Sequence, residues 1–333
     1  MPALMPSRYE TVRLGTPWTN CFGAARSLIA LGPLLTLVFT RSSDLFFPLT
    51  GDSPGHSRCA GPDQLLLFCL GGSDHYLEVK RWVAVAALII VAIGWKPQIT
   101  CIPHAYVAFS YFHGLSAPEG GDQIASIVAL LLVPVCLTDR RTWHWQPVFD
   151  ETFVMGKPGG ISQISQCLAT VTIVLIKLQV SWVYLQAGIS KLGSQAWVNG
   201  TAMYYWSRNE TFGVPGWEQP VVYWLTRQPV LVAAMTWTPV VIEVMLGISL
   251  LLPLRSRIPL LCAGFGLHLL IGVMIGLWSF AIIMWGCLVF LLSPAGLSVG
   301  LRRDTSPPES QKGRQTTGTV TEPDRRSEPP VGG

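Results

Sequence analysis

The chain has 333 residues, of which 50% are hydrophobic and only 13% are charged, and its net charge is +4. Its mean hydropathy is +0.42. Because ordinary soluble domains carry about 25% charged residues, this composition excludes a soluble core enzyme and indicates an integral membrane protein. The positive charges are scattered and do not form one basic stripe, which also excludes a nucleic-acid-binding protein.

Apolar stretches recur along the chain, and about eight of them approach the length that a helix needs to cross a hydrocarbon layer of about 30 Å. The pattern predicts an all-α integral membrane protein, a bundle of about eight transmembrane helices. The second and third stretches are short and separated by Lys96-Pro97, so one broken or re-entrant pair is the alternative for them. The predicted spans are residues 21–40, 82–95, 99–113, 124–138, 161–188, 230–252, 258–275 and 277–292.

Lys and Arg residues occupy every short loop on one side of this arrangement, which predicts a multi-pass protein of the cell membrane with both termini in the cytoplasm. Two longer connections, residues 41–81 and 189–229, then face outward. We divide the chain into a cytoplasmic N-terminal segment (1–16), a transmembrane domain (17–296) and a tail (302–333). The tail is rich in proline and mixed charge and has few apolar residues, so we expect it to be a disordered cytoplasmic segment.

Cys59 and Cys69 lie in the first outward connection with nine residues between them. This spacing is poor for zinc but suits a small disulfide loop in an oxidising compartment. Two independent thiols are the alternative. His104 and His113 have no cysteine or carboxylate at ligand spacing, so we predict no metal site.

Ionisable residues within the predicted spans are candidates for function, because a charge facing lipid is costly. Arg26 and Lys177 have long side chains that either reach the interface or form structural pairs. Glu243 lies about midway along its span and cannot easily reach water, so it is protonated, paired or directed into a cavity.

His268 lies on a helix face that also carries Gly264, Gly272 and Gly276, spaced by four residues. Such a face of small residues predicts the close approach of another helix. The histidine itself is either an interhelical hydrogen-bonding residue or an acid, base or quinone ligand.

Polar residues are densest at the outer end of the fifth span. Lys177, Tyr184 and Lys191 are spaced by seven, and Gly188 follows Tyr184 by four, so they share one face if the helix continues to Lys191. Burial there favours the neutral amine of Lys191, the form that acts as a base. The alternative is a lysine anchored at the lipid headgroups, with Trp197 in an aromatic belt.

A motif at this position resembles one in the vitamin K-dependent gamma-carboxylase-like membrane domain, also called the horizontally transferred transmembrane (HTTM) domain. The motif is Ala187-Gly188-x-x-Lys191-Leu192 followed by Trp197-x-x-Gly200. The resemblance implies that Lys191 is the base that deprotonates a reduced quinone similar to vitamin K. It also implies that His268 is the counterpart of a late intramembrane histidine.

A closer similarity, to the sporulation-delaying protein B family, covers residues 17–294. It implies that the chain acts with a small partner protein of the SdpA type in the maturation of a secreted antimicrobial toxin precursor. The segments that carry it are WTNCFGAARSLIALGPLLTLVF from Trp18, the loop of Cys59 and Cys69 ending in LLLFCL, GWKPQITCIPHAYVAFS from Gly94, and EGGDQIASIVALLLVPVCLTDRRTWHW from Glu119.

The chain also departs from the carboxylases, because its two long connections have only about 40 residues each and Ser190 replaces a second lysine. We therefore expect a role in toxin-peptide maturation or export, either through a quinol-dependent, carboxylase-like reaction or as a non-enzymatic chaperone or immunity-like scaffold for the precursor. A carboxylase homologue with a different substrate is a further alternative. Gly120, Gly121 and Asp122 are expected to form a turn on the outer surface, with Asp122 as the N-cap of the next helix.

Overall fold

A computed structural model describes residues 13–14, 16–46, 59, 61–71, 76–146, 153–154, 161–210 and 212–294. The predicted tail and most of the predicted N-terminal segment lie outside these residues. The described part is helical, as predicted, apart from one pair of two-residue strands. The helices are α1 (Asn20–Phe39), α2 (Ser42–Leu45), α3 (Leu77–Ile93), α4 (Pro97–Gly114), α5 (Gly120–Leu137), α6 (Ile161–Lys191), α7 (Gln195–Val198), α8 (Ala202–Trp206), α9 (Gln219–Arg227), α10 (Pro229–Gly247), α11 (Arg257–Ile275) and α12 (Trp278–Leu292).

Five helices are long and apolar enough to cross a membrane, namely α1, α5, α6, α10 and α11. Helix α12 is apolar but shorter, and α3 and α4 do not reach the same threshold. The total of eight spans therefore stays a prediction for the region of α3 and α4. There the chain forms two helices joined by a tight turn in which Gly94 and Lys96 have φ values of 86° and 36°.

The N-terminal segment and two connections lie on one side of the bundle. Strand β1 (Arg13–Leu14) pairs antiparallel with β2 (Phe153–Val154), so the N-terminal segment meets the connection between α5 and α6. The same connection reaches the turn between α3 and α4 through a bridge between Trp95 and Trp143. This grouping is the one that the distribution of Lys and Arg predicts. The opposite side, where α6 ends, is called the Lys191 side below.

Helix α5 begins with a capping box. The N-cap is Glu119, and Asp122, at the third helical position, accepts a hydrogen bond of 3.1 Å from the Glu119 backbone N–H. Asp122 thus helps to cap the helix, but the prediction that it is the N-cap itself is wrong by three residues. Burial, and to a smaller extent the neighbouring Asp122, raises the pKa of Glu119.

Two hydrophobic clusters share helix α1. One joins α1 to α5, α6 and α12, and the other joins it to α3 and α4. Helix α11 packs on α12 through its small residues, since a Cβ on Gly264 would lie 2.8 Å from Leu288 and one on Gly272 would lie 3.0 Å from Trp278. Gly276 differs from the predicted pattern, because it ends α11 with a φ of 82° and is not part of the contact face.

Candidate functional site

Helices α6 and α10 contact each other through two glycines near the Lys191 side. A Cβ on Gly188 would lie 2.8 Å from a Val244 methyl and 3.4 Å from the Glu243 Cβ, and one on Gly247 would lie 2.8 Å from the Leu185 backbone. Without side chains, these glycines let the two helices approach closely. The contact brings the last turn of α6 opposite Glu243.

Lys191 and Glu243 form an ion pair across this contact. The Lys191 Nζ lies 2.5 Å from Glu243 Oε2 and also donates to the Ala187 carbonyl at 3.2 Å. The side chains are only 22% and 10% exposed, so both charges are largely removed from water. The ammonium also lies 5.4 Å from the ring centroid of Trp197, within the range of a cation–π interaction.

The ion pair lies in the wall of a cavity of about 750 Å³. Its walls come from α6, α7, α8, α10, α11 and the start of α12, together with residues that follow α8 and α11. Within the part of the chain that the structure describes, Lys191 and Glu243 are the only charged residues that line it, and the rest of the lining is almost entirely apolar. Lining side chains that sequence analysis did not single out include Met203, Met235, Phe212, Met274 and Phe280.

Tyr184 on α6 and His268 on α11 form a second polar pair. The Tyr184 hydroxyl lies 2.8 Å from His268 Nε2, and both side chains are buried. His268 packs edge-on against Phe280, with ring centroids 5.4 Å apart. Phe280 lines the cavity and His268 does not, so the histidine lies outside the lining that contains the ion pair.

The predicted helical face of Lys177, Tyr184, Gly188 and Lys191 exists, because α6 continues to Lys191. Its residues nevertheless contact different parts of the protein. Lys177 donates to the carbonyls of Leu291 and Ser293 at 3.3 and 2.5 Å, at the end of α12. Fourteen helical residues, or about 21 Å, separate it from Lys191, so Lys177 binds the end of a helix and lies outside the site.

The remaining predicted residues lie outside the Lys191–Glu243 ion pair and have contacts of their own. Gly200 turns the chain with a φ of 73°, and its Cα faces Ala233 on α10. Next to Asp122, Gly121 packs against Phe280, where a Cβ would lie 2.9 Å from the ring. Cys59 and Cys69 are joined by a disulfide. The described residues contain no cluster of His, Cys, Asp or Glu that could hold a metal ion.

The lining of the cavity fits a neutral ligand with a polar group and an apolar body. The ion pair is neutral as a whole, so a charged ligand would leave one buried charge uncompensated. A hydroxyl group, in contrast, accepts from the ammonium and donates to the carboxylate. A reduced quinone has these properties and would be held by Lys191 and Glu243 at one end and by the apolar walls along its length.

The sequence predicts both Lys191 and Glu243 as candidates for function but does not predict that they contact each other. The signal in the sequence was electrostatic, since a paired carboxylate midway along a span needs a cation, and Lys191 follows the preceding predicted span, which ends at residue 188. The cavity had no comparable signal, because its walls consist of ordinary apolar residues from separate helices.

Comparison with known proteins gives a family. The HTTM domain matches residues 161–293, the part of the chain that supplies the ion pair. The chain is 37% identical over 280 residues to the uncharacterized protein YitO of Bacillus subtilis (strain 168), which covers 84% of this chain and 86% of YitO. It is 29% identical over 279 residues to the sporulation-delaying protein SdpB of the same organism, covering 84% of this chain and 82% of SdpB. No solved structure matches the chain. The chain therefore belongs to the family of YitO, and it is an SdpB-like membrane protein with an HTTM domain.

Proposed function

We propose that this protein acts in the membrane on the maturation or export of a secreted antimicrobial peptide, through a reaction that depends on a reduced quinone bound in the cavity. The observation that carries the proposal is the Lys191–Glu243 ion pair in the wall of an otherwise apolar cavity. The relationship to SdpB supports the toxin precursor as the substrate and a small SdpA-type protein as the partner.

In this proposal one proton passes from the Lys191 ammonium to the Glu243 carboxylate. An ammonium cannot accept a proton, so Lys191 must lose one before it acts as a base. The Glu243 carboxylate, 2.5 Å away, is the acceptor that the geometry offers. The quinol would supply the hydroxyl group that Lys191 deprotonates, and this chain would position that group against the ion pair. His268 would then act on the site only through Tyr184 and Phe280.

A second function is favoured by the same ion pair. Lys191 and Glu243 already satisfy each other's charge without a ligand, as structural pairs do. An apolar cavity of about 750 Å³ also suits a hydrophobic segment of a peptide. The protein would then be a non-enzymatic chaperone or immunity-like scaffold that holds the precursor in the membrane.

Mass spectrometry of the peptides secreted by cells with and without this gene separates the two functions. A change in the mass of one peptide supports covalent processing. An unchanged mass with lower abundance supports the chaperone.

Two variants of Lys191 then test the base. Lys191→Ala should abolish maturation even when the amount of folded, membrane-inserted variant is matched to that of the wild type. Lys191→Arg keeps the positive charge, but a guanidinium stays protonated and cannot accept the proton, so it should fail as well. Full maturation by Lys191→Arg would identify Lys191 as a structural charge and would remove the quinol-dependent reaction.

A further inference from the structure

A second buried charge lies far from the cavity, near the turn between α3 and α4. The Arg26 side chain on α1 is fully buried, so it does not reach the membrane surface. Its Nη2 donates to Thr100 Oγ1 at 2.8 Å. The Thr100 hydroxyl in turn donates to the Trp95 carbonyl at 2.9 Å. This chain of bonds ties α1 to the first turn of α4.

Most of the donors of Arg26 have no partner. Neither Nε nor Nη1 forms a hydrogen bond within the described residues, and together these atoms carry three N–H groups. His104 follows Thr100 by one helical turn, is 1% exposed, and its Nδ1 is unmatched as well. Because more than 90% of buried polar groups in proteins have a partner, three unmatched N–H groups on Arg26 and an unmatched ring nitrogen one turn after its partner Thr100 indicate a bound species.

The charge of Arg26 also lacks a counter-charge. A guanidinium remains protonated in proteins. The ion pairs found in the described part of the chain join Arg81 to Glu78, Arg141 to Asp139 and Lys191 to Glu243, and none of them includes Arg26. The cost of an isolated charge in a medium of low dielectric constant far exceeds that of an unmatched hydrogen bond.

We propose that Arg26 and His104 hold a small inorganic anion of the halide class between α1 and α4. A water molecule would satisfy the N–H groups but would leave the charge uncompensated, whereas a halide does both. The ion must be small, since the neighbours of Arg26 and Thr100 along α1 and α4, namely Ala25, Ile29 and Cys101, are themselves fully or almost fully buried. This anion site does not depend on the peptide function or on the cavity at Lys191.

The anion content of the purified full-length protein tests the site directly. The protein is purified in detergent with sodium chloride, passed by gel filtration into sodium gluconate, denatured, and analysed by ion chromatography. We expect about one chloride per chain, and about one bromide per chain after purification in sodium bromide. Arg26→Met should retain none. Arg255→Met, which removes an exposed arginine, is the matched control and should retain the ion.

Thermal stability gives a second readout. Since a ligand that binds only the folded state raises its stability, the wild type and Arg255→Met should melt at a higher temperature in chloride than in gluconate. Arg26→Met should fold, because an apolar residue of similar length often replaces a buried charge without loss, and its melting temperature should not depend on the anion. The proposal is overturned if the wild type retains no halide, or if Arg26→Met retains as much as the wild type.

Discussion

Gly188 on α6 lies against Val244 on α10, with room for a hydrogen atom but not for a methyl group. Gly188→Ala should therefore push α6 away from α10 and lengthen the distance between Lys191 Nζ and Glu243. Because overpacking costs about 1–3 kcal/mol, we expect a lower melting temperature in detergent, together with reduced peptide maturation.

Gly266→Ala is the matched control for this prediction. A Cβ on Gly266, in the lining of the cavity, would have no neighbour within 4 Å. Replacement of a helical glycine by alanine should then stabilise α11 by about 0.5–1 kcal/mol. Equal effects of the two substitutions would contradict the close contact at Gly188.

The ion pair predicts a non-additive response to mutation. Lys191→Met or Glu243→Leu alone leaves one buried charge unpaired, which should destabilise the protein by about 3 kcal/mol. The double variant removes both charges and should recover most of that loss, as measured by thermal unfolding in detergent. Peptide maturation should stay absent in all three variants. A double variant that matures the peptide would show that the pair is only structural.

His144 predicts a dependence of stability on pH. Its ring is enclosed by Gly23 and Gly94, its Nε2 lies 3.2 Å from Ser27 Oγ, and the Ser27 hydroxyl donates to the Ala92 carbonyl at 2.6 Å. Ser27 Oγ therefore accepts from the Nε2–H of His144, a hydrogen that both the neutral and the charged ring carry, so this bond fixes the orientation of the ring and burial decides its charge. Burial, followed by the charges of Arg26 and Arg141, lowers the pKa of His144 from 6.5 to about 3.

The unfolded chain thus binds a proton at His144 below pH 6.5, whereas the folded chain does so only near pH 3. The contribution of the neutral ring to stability is complete above pH 6.5 and is lost as the pH falls toward 3. We expect the melting temperature of the wild type to fall over this range, and His144→Asn to flatten the curve. His113→Asn, at an exposed position, should leave the curve unchanged.

The disulfide between Cys59 and Cys69 predicts the behaviour of thiols in intact cells. If this loop lies outside the membrane, both cysteines should resist a membrane-impermeant maleimide until a reductant is added. Cys59→Ser should then expose Cys69 to labelling without reductant, although Cys69 is only 6% exposed, because the loss of the bond loosens its loop. Labelling of the untreated wild type would argue against the bond in the cell.

Hydropathy located most of the helices, and its errors have physical causes. The second span was predicted to begin at residue 82, but α3 begins at Leu77. Its first five residues include Arg81, paired with Glu78 at 3.0 Å, and Lys80, which donates to the Phe68 carbonyl. A hydropathy scale scores each residue alone, so charged residues receive a loop-like score even when they have partners in a helix.

Pairing between distant residues was harder to predict than the helices. Spacing placed Tyr184, Gly188 and Lys191 on one face, and α6 has that face. Spacing within one helix contains no information on what faces it, however, so the contacts of Tyr184 with His268 and of Lys191 with Glu243 required the packing of α6 against α10 and α11.

The ion pair also has a consequence for biogenesis, since Glu243 follows Lys191 by 52 residues. During synthesis α6 leaves the ribosome first, with an ammonium near its end and no counter-ion. We expect α6 to remain close to the translocation machinery until α10 emerges, so that the two helices enter the lipid together. Ribosome-bound chains that end before Glu243 should then crosslink to the translocation channel through α6, and chains long enough for all of α10 to have left the ribosome should not.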